Sequence, residues 1–305
     1  MGRYLILGAG QVGRGVARIL SGEGHEAVIV TRSGSMDGVA ADASDADAMR
    51  KLAAGADAII NCVNPRYHRW PQDWPPIHHA LMAAAESSGA VLVTLSNLYG
   101  YGPLDVPMTE DTPLNSKGTK GRVRAQMWHE ALAAHKAGRI RATEVRASDY
   151  YGLGASDQSY IGPRFLTPLM SGKPAVFLTD PSIPHSWTYL PDTARMLVTA
   201  AMDERAWGRP WHVPTAPPLP AREMAERFCR LAGAPAPRIR VLPRFLLTAA
   251  GTVVPVVREL RETRYQFDRP FELDSSYTEA TFDLSPTPID EALEATLAEL
   301  RKAVR

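Results

Sequence analysis

The sequence predicts an α/β fold: a doubly wound parallel sheet with a smaller C-terminal part. Three observations predict it. The first 32 residues read as apolar strand, glycine-rich turn, helix and second apolar strand. Apolar strands then alternate with helical stretches, about 25 to 35 residues apart, as far as Arg146. Beyond Arg146 the alternation loosens and proline becomes frequent. Regular alternation of this kind gives parallel strands with helices over both sheet faces.

Tyr4-Leu5-Ile6-Leu7 forms the first strand and Gly8-Ala9-Gly10-Gln11-Val12-Gly13 the turn into the first helix. Each glycine has its own reason: Gly8 permits the tight turn, Gly10 lets the backbone approach a pyrophosphate, and Gly13 lets helix and strand pack closely. The helix N-terminus, with free N–H groups from Gln11 and Val12 onward, then holds phosphates. A turn in this context reads as a dinucleotide site of the Rossmann type. Ala27–Arg32 is the second strand, and Thr31-Arg32-Ser33 stands at its end, where an NAD-specific unit carries a ribose-binding carboxylate. Arginine and serine there favour the 2′-phosphate of NADP over NAD; otherwise Arg32 is an ordinary solvated residue. Gly38–Ala41 is a short third strand, ending at Asp42, which is either a contact to the adenine end or a turn residue.

Ser44 or Asp45 caps a helix that Gly55 ends, and Asp57–Val63 is a fourth strand running into Asn64-Pro65. Val63 and Asn64 thereby join the expected cofactor contacts. The aromatic and cationic stretch Tyr67–Trp74 is either a substrate-gripping loop or a packed surface loop. A helix across Pro76–Met82 closes at Gly89, and Ala90–Leu95 is the fifth strand, leading into Ser96–Gly102. A helix near Arg124–Lys136 and the strand Ile140–Val145 follow. His185–Leu190 resembles a return strand, Pro191–Met202 a helix, and Pro210–Val213 one more strand. The tail keeps one apolar face through Ile289, Leu293, Leu297, Leu300 and Val304. Residues 1–155, completed by about 184–214, are therefore expected to form the dinucleotide-binding domain. Residues 156–183 and 215–305 form the smaller, substrate-binding part.

Composition narrows the function. Hydrophobic residues at 45% and charged residues at 22% suit a globular protein, and a net charge of +1 supplies no basic field for nucleic acid. Cys62 and Cys229 are too few for a disulfide framework. His78 and His79 are adjacent, and His129 and His135 are six apart; neither spacing chelates a metal from one helix face, so no metal is expected. The apolar run Phe245–Val257 is too short to span a bilayer. No secretory signal precedes the first strand, which makes a reducing cytoplasm the expected location. The expected partner is a small-molecule substrate, with no nucleic acid or membrane, and the expected state is a monomer or homodimer.

Several motifs now carry a resemblance: the N-terminal fingerprint, Ser96-Asn97 followed by Tyr-Gly, Met108-Thr109-Glu110-Asp111, Arg146-Ala147-Ser148-Asp149-Tyr150-Tyr151-Gly152, and Ser186 to Ala194. Together they resemble the short-chain dehydrogenase/reductase superfamily, in its extended, epimerase/dehydratase-like branch, over nearly the full chain. Two departures stand out. Extended members space their glycines G-x-x-G-x-x-G, and Leu7 stands where the first would fall. The family's chemistry uses a Ser or Thr, then a Tyr and a Lys three residues apart, the Tyr acting as acid or base. Here the expected helix carries Lys120-Gly121-Arg122-Val123-Arg124, with Lys120 at the tyrosine position and Arg124 at the lysine position. The Ser/Thr position falls on Asn97 or on Leu95, and Asn97 keeps a polar group beside the nicotinamide. Lys120 is then a candidate acid or base, Arg124 a ribose or oxyanion contact, and Tyr101, with Tyr99, Tyr150 and Tyr151, a candidate replacement phenol; Asp149 is a possible orienting base. The resemblance implies an NADP(H)-binding, atypical oxidoreductase or epimerase-like enzyme on a small polar or sugar-like substrate. The alternatives are a non-enzymatic NAD(P) sensor and a cofactor-bound structural subunit.

Overall fold

The structure is a computed structural model that describes residues 1–35, 38–156, 159–242 and 261–303; the apolar run Phe245–Val257 and Val304 lie outside these. The N-terminal part runs β1 (Arg3–Leu7), α1 (Gln11–Gly22), β2 (Glu26–Thr31), β3 (Val39–Ala40), α2 (Ala46–Ala53) and β4 (Ala58–Asn61). It continues with α3 (Trp70–Ser88), β5 (Val91–Asn97), α4 (Thr119–Lys136) and β6 (Arg141–Ala147). Then come β7 (Asp149–Tyr151), α5 (Pro163–Met170), β8 (Ala175–Phe177), β9 (Pro184–His185), β10 (Trp187–Tyr189), α6 (Leu190–Met202) and β11 (Pro210–His212). The last described elements are β12 (Leu219–Pro220), α7 (Ala221–Ala232), β13 (Ile239–Val241), α8 (Tyr265–Asp268), α9 (Ser276–Phe282) and α10 (Ile289–Ala303).

Seven strands make one sheet in the order β11-β6-β5-β4-β1-β2-β3, with every neighbouring pair parallel. All four residues of β4 are buried, as are four of the five in β1. Continuous burial of both alternating side-chain sets means that both sheet faces are covered, which is why these strands read as unbroken apolar runs. The chain leaves β1 towards β2 and β3 on one side, whereas β4, β5, β6 and β11 lie on the other. β1 and β4 therefore flank the switch point, and the crevice outside their carboxyl ends is where open α/β sheets bind ligands.

The described residues cluster into two compact units. The first holds Met1–Gly102, Glu110–Ala147 and Thr193–Val213, and the second Pro103–Thr109, Ser148–Asp192 and Pro214–Arg305. These units differ from the sequence expectation at 103–109, 148–155, 184–192 and Pro214; 103–109 joins the second unit, where Met108 bridges Leu273. Residues 148–155 and 184–192 belong to the second unit because β7 pairs with β10 in a separate two-stranded sheet, not with the large one. The expected return strand His185–Leu190 is accordingly divided: β9 pairs antiparallel with β12, and β10 parallel with β7. The second unit has its own core, built from Phe165, Phe177, Trp187, Met224, Phe228, Leu293 and Leu297.

The stretch Tyr67–Trp74 is not a loop of either expected kind. Tyr67–Arg69 makes one 3-10 turn, and α3 starts at Trp70. Pro71 falls in the first turn, where a missing N–H costs nothing. Pro75 and Pro76 each forfeit an internal bond, but Trp70 and Trp74 are 1% and 0% exposed and hold the helix down through burial.

Candidate dinucleotide site

The turn after β1 has the geometry its glycines predict. Gly8 has φ +95°, and a β-carbon there would stand 3.0 Å from the backbone oxygen of Cys62, so the turn lies directly against the end of β4. Gly13 faces the turn so closely that a β-carbon would collide with the carbonyl oxygen of Gly8. Gly10, by contrast, has no atom within 4 Å of its would-be β-carbon: its backbone faces open space. It is the N-cap of α1, without a side-chain cap, and no acidic residue occupies the helix's first turn. Gln11, Val12 and Gly13 thus begin a helix whose positive dipole end has no carboxylate to compete with an anion. This cradle fits a dinucleotide pyrophosphate, and a larger residue at Gly10 would fill it.

At the end of β2, Thr31 Oγ1 lies 3.5 Å from Ser35 Oγ, and Arg32 and Ser33 are exposed. Asp42 takes part in the next turn: its Oδ1 accepts from the backbone N–H of Ser44 at 2.9 Å and from its hydroxyl at 2.8 Å. Those bonds, helped by the Arg32 charge, hold its carboxyl below the usual range. Asp45, not Ser44, caps α2, accepting from Asp47 and Ala48. Beyond β4, Asn61 Oδ1 accepts the N–H of Val63 at 3.2 Å; Val63 is half-buried and Asn64 exposed. Cys62, between Asn61 and Val63, is half-buried, and burial pushes its thiol up to about 12.

The residues at the ends of β5 and α4 form a second group. Asn97 closes β5, and its Oδ1 accepts the N–H of Tyr99 at 3.1 Å. With the oxygen so engaged, the amide's NH2 is the side turned to other partners. Lys120 and Arg124, one turn apart on α4, are 2% and 6% exposed. Lys120 Nζ lies 4.6 Å from the centre of the Tyr67 ring. The Arg124 guanidinium lies 4.7 Å from Trp70 and 4.2 Å from Trp74, and donates to the backbone oxygen of Leu95 at 3.3 Å. Tyr67, Trp70 and Tyr99 pack on one another, with centroids 5.1 to 6.2 Å apart. This aromatic cage escaped the sequence reading, although the i, i+4 spacing of Trp70 and Trp74 was a signal for one shared helix face.

Tyr101 is placed differently. It is 2% exposed, and its hydroxyl meets His212 Nε2 at 2.7 Å and accepts from Arg146 Nη1 at 2.7 Å. Arg146 Nε in turn donates to Glu144 at 2.6 Å. Burial pushes the phenol up to about 12. The phenol expected as a proton-transfer candidate is committed to a buried network that ties the ends of β6 and β11. In the second unit, Asp149 Oδ2 lies 2.9 Å from His185 Nε2, and Tyr151 is buried against Tyr189, where burial and the Asp192 charge raise its pKa. Among the described residues no group of three His, Cys, Asp or Glu could hold a metal ion. No helix there is long and apolar enough to cross a membrane.

Comparison with known proteins agrees with this geometry. Among curated proteins, a 2′-dehydrokanamycin reductase of Streptomyces kanamyceticus is 27% identical over 244 residues, covering 75% of this chain and 66% of that protein. A dTDP-4-dehydrorhamnose reductase of Mycolicibacterium smegmatis is 28% identical over 143 residues, covering 43% of this chain and 42% of that one. The chain thus spans less than two thirds of either relative. Among solved structures, a dTDP-glucose 4,6-dehydratase of Bacillus anthracis, in complex with NAD, superposes with a TM-score of 0.79 at 16% identity, covering 99% and 97% of the two chains. A UDP-glucose 4-epimerase of Thermotoga maritima, with UDP-glucose, gives 0.80 at 14% identity over 99% and 100%. At such identities the structures establish the fold. Residues 4–213, well over half of the sequence, match one family description; the chain belongs to the NAD dependent epimerase/dehydratase family.

Proposed function

We propose that the protein is an NADP(H)-dependent oxidoreductase that reduces a carbonyl of a small polar, sugar-like substrate. The observation that carries this reading is the cradle at the switch point: an open Gly10, an α1 N-terminus without an acid, and Arg32 after β2 where a carboxylate would select NAD. When bound, the dinucleotide supplies the hydride chemistry. The chain's own residues bind and polarise: Arg32 and Ser33 hold the 2′-phosphate, with Thr31 beside them, and the α1 N-terminus holds the pyrophosphate. Val63 and Asn64 border it from β4. Asn97, its oxygen held by the Tyr99 N–H, turns N–H donors to the substrate oxygen. Lys120 sets a positive charge near the reacting group, and Arg124 anchors α4 to β5 through Leu95. Tyr101 and Asp42 are structural in this reading, because their polar atoms are held by the protein. The two curated relatives, both named as reductases of dehydro compounds, support the reducing direction.

A second reading, a dinucleotide-binding regulator without turnover, is favoured by one observation: Lys120-Gly121-Arg122-Val123-Arg124 stands where the superfamily resemblance implies Tyr-x-x-x-Lys. Fluorescence titration with NADPH and NADH, followed by NADPH oxidation against a panel of free and nucleotide-linked oxo-sugars, separates the two. Preferential NADPH binding with turnover of at least one sugar is expected. Tight binding without turnover across the panel would transfer support to the regulator, and equal affinity for NADH would defeat the NADP assignment.

A further inference from the structure

The register that lacks a tyrosine on α4 does not leave the site without a phenol beside an ammonium. Tyr67 and Lys120 come from different elements: Tyr67 from the turn that follows β4, Lys120 from the first turn of α4. Both stand after carboxyl ends of sheet strands, on the side of the sheet that carries the glycine turn. Lys120 Nζ lies 4.6 Å from the Tyr67 ring centre, and the ring's attitude is fixed edge-on by Trp70 at 5.1 Å and Tyr99 at 6.2 Å. Gly121, next to Lys120, lies against the backbone oxygen of Tyr99, too close for a β-carbon, so α4 is docked tightly on the turn after β5. Of the other tyrosines in this unit, Tyr4 and Tyr101 are buried, and burial raises both phenols; Tyr99 is half-buried and packs on Tyr67 and Trp70. Tyr67 is half-buried and keeps solvent access.

We infer that Tyr67 is the proton donor to the substrate oxygen and that Lys120 acts through it as a positioning residue. An ammonium against a phenol ring favours the phenolate by direct attraction, and the burial of Lys120 limits its screening by solvent. The inference rests on the reductase reading above. In the reducing direction the substrate's carbonyl carbon accepts a hydride from the reduced nicotinamide dinucleotide. The C=O π pair moves onto oxygen, which takes the Tyr67 hydroxyl proton. Tyr67 is left as a phenolate beside Lys120 and regains its proton from solvent.

Two measurements test this. The first uses the cofactor-free protein and the ultraviolet phenolate band. A tyrosine ionising about one unit or more below the ordinary value of about 10 is expected in the wild type. It should vanish in Tyr67→Phe and move up in Lys120→Met, while the surface control Tyr277→Phe keeps it. The second is the pH profile of NADPH oxidation. Tyr67→Phe should lose about 100-fold or more in kcat and lose the high-pH limb, with dinucleotide affinity unchanged. A spectrum that Tyr67→Phe leaves intact, or turnover within threefold of wild type in that variant, would overturn the inference. Failure of the wild type itself to bind NADPH would defeat the cofactor reading instead, and the apoprotein spectrum does not depend on that reading.

Discussion

Gly13 faces the carbonyl oxygen of Gly8 at a separation that only a glycine at position 13 allows. Helix α1 sits on the β1 turn through that contact, whereas Gly10, in the same motif, faces open space and has φ −74°, which any L-residue adopts. The two glycines therefore separate stability from binding. Gly13→Ala should destabilise the protein by about 1–3 kcal/mol and abolish dinucleotide binding. Gly10→Ala should leave the thermal midpoint within a degree or two while weakening binding by about tenfold or more, because the new methyl occupies the pyrophosphate's approach. Thermal unfolding and fluorescence titration on both variants check this; a stable, NADPH-binding Gly13→Ala would refute the close-packing account.

The first strand, its turn and the first helix were legible because each rests on local chemistry: an apolar run, glycines at fixed spacing, a 3.6-residue period. Lys120 and Arg124 stand out through the superfamily register and not through periodicity, since the sequence predicts the helix only from about Arg124, whereas α4 starts at Thr119. What escaped depends on distant partners. The prolines at 71, 75 and 76 concealed the start of α3, because burial of Trp70 and Trp74 outweighs the lost backbone bonds only in the folded molecule. Tyr101 follows a strand end next to glycine, as a catalytic phenol would. Only the fold brings it to Arg146 and His212, 45 and 111 residues away. β10 looked like a strand of the large sheet because a strand's sequence names its faces but not its neighbour.

Arg32 is exposed, and its charge reaches Asp42 and Asp73. If it holds a 2′-phosphate, Arg32→Ala should weaken NADPH by about tenfold and NADH by less than about twofold, since a charge-assisted hydrogen bond is worth roughly 1.5–3 kcal/mol before solvent screening. The ratio of the two dissociation constants, measured at two salt concentrations, is the readout. Equal losses for both cofactors would remove Arg32 from the 2′-phosphate site.

His78 is 3% exposed between α3 and α4, with Nε2 3.4 Å from Glu130 Oε2. Burial lowers its pKa from 6.5 to about 4, against the opposing pull of Glu130. Between those values the unfolded chain binds a proton that the folded chain refuses. Stability is therefore fully present above pH 6.5 and falls as pH drops towards 4, by up to about 3 kcal/mol from this residue. His78→Gln keeps a polar side chain but does not titrate. Urea unfolding of both proteins at pH 7 and pH 4.5 should show the variant losing about 2 kcal/mol less than the wild type over that interval. Parallel losses would mean that His78 is not held neutral.

In the second unit His185 is held by two polar contacts and a ring stack. Its Nδ1 lies 3.2 Å from the backbone oxygen of Gln266, which can only accept, so Nδ1 is the donor there. Its ring stacks on Phe267 at 4.6 Å with planes 1° apart, and Trp187 lies 4.3 Å away, which fixes the tilt. Nε2 then faces Asp149 Oδ2 at 2.9 Å, within hydrogen-bond distance. Removing the carboxylate strands a buried imidazole nitrogen without its partner. Asp149→Ala should therefore cost about 3 kcal/mol, near the lower end for breaking a buried pair. Asp149→Asn should cost far less, because the carboxamide NH2 can donate to a neutral Nε2 at the same place. Chemical denaturation of the two variants decides it: equal destabilisation by Ala and Asn would mean that charge, and not the hydrogen bond, holds His185 in position.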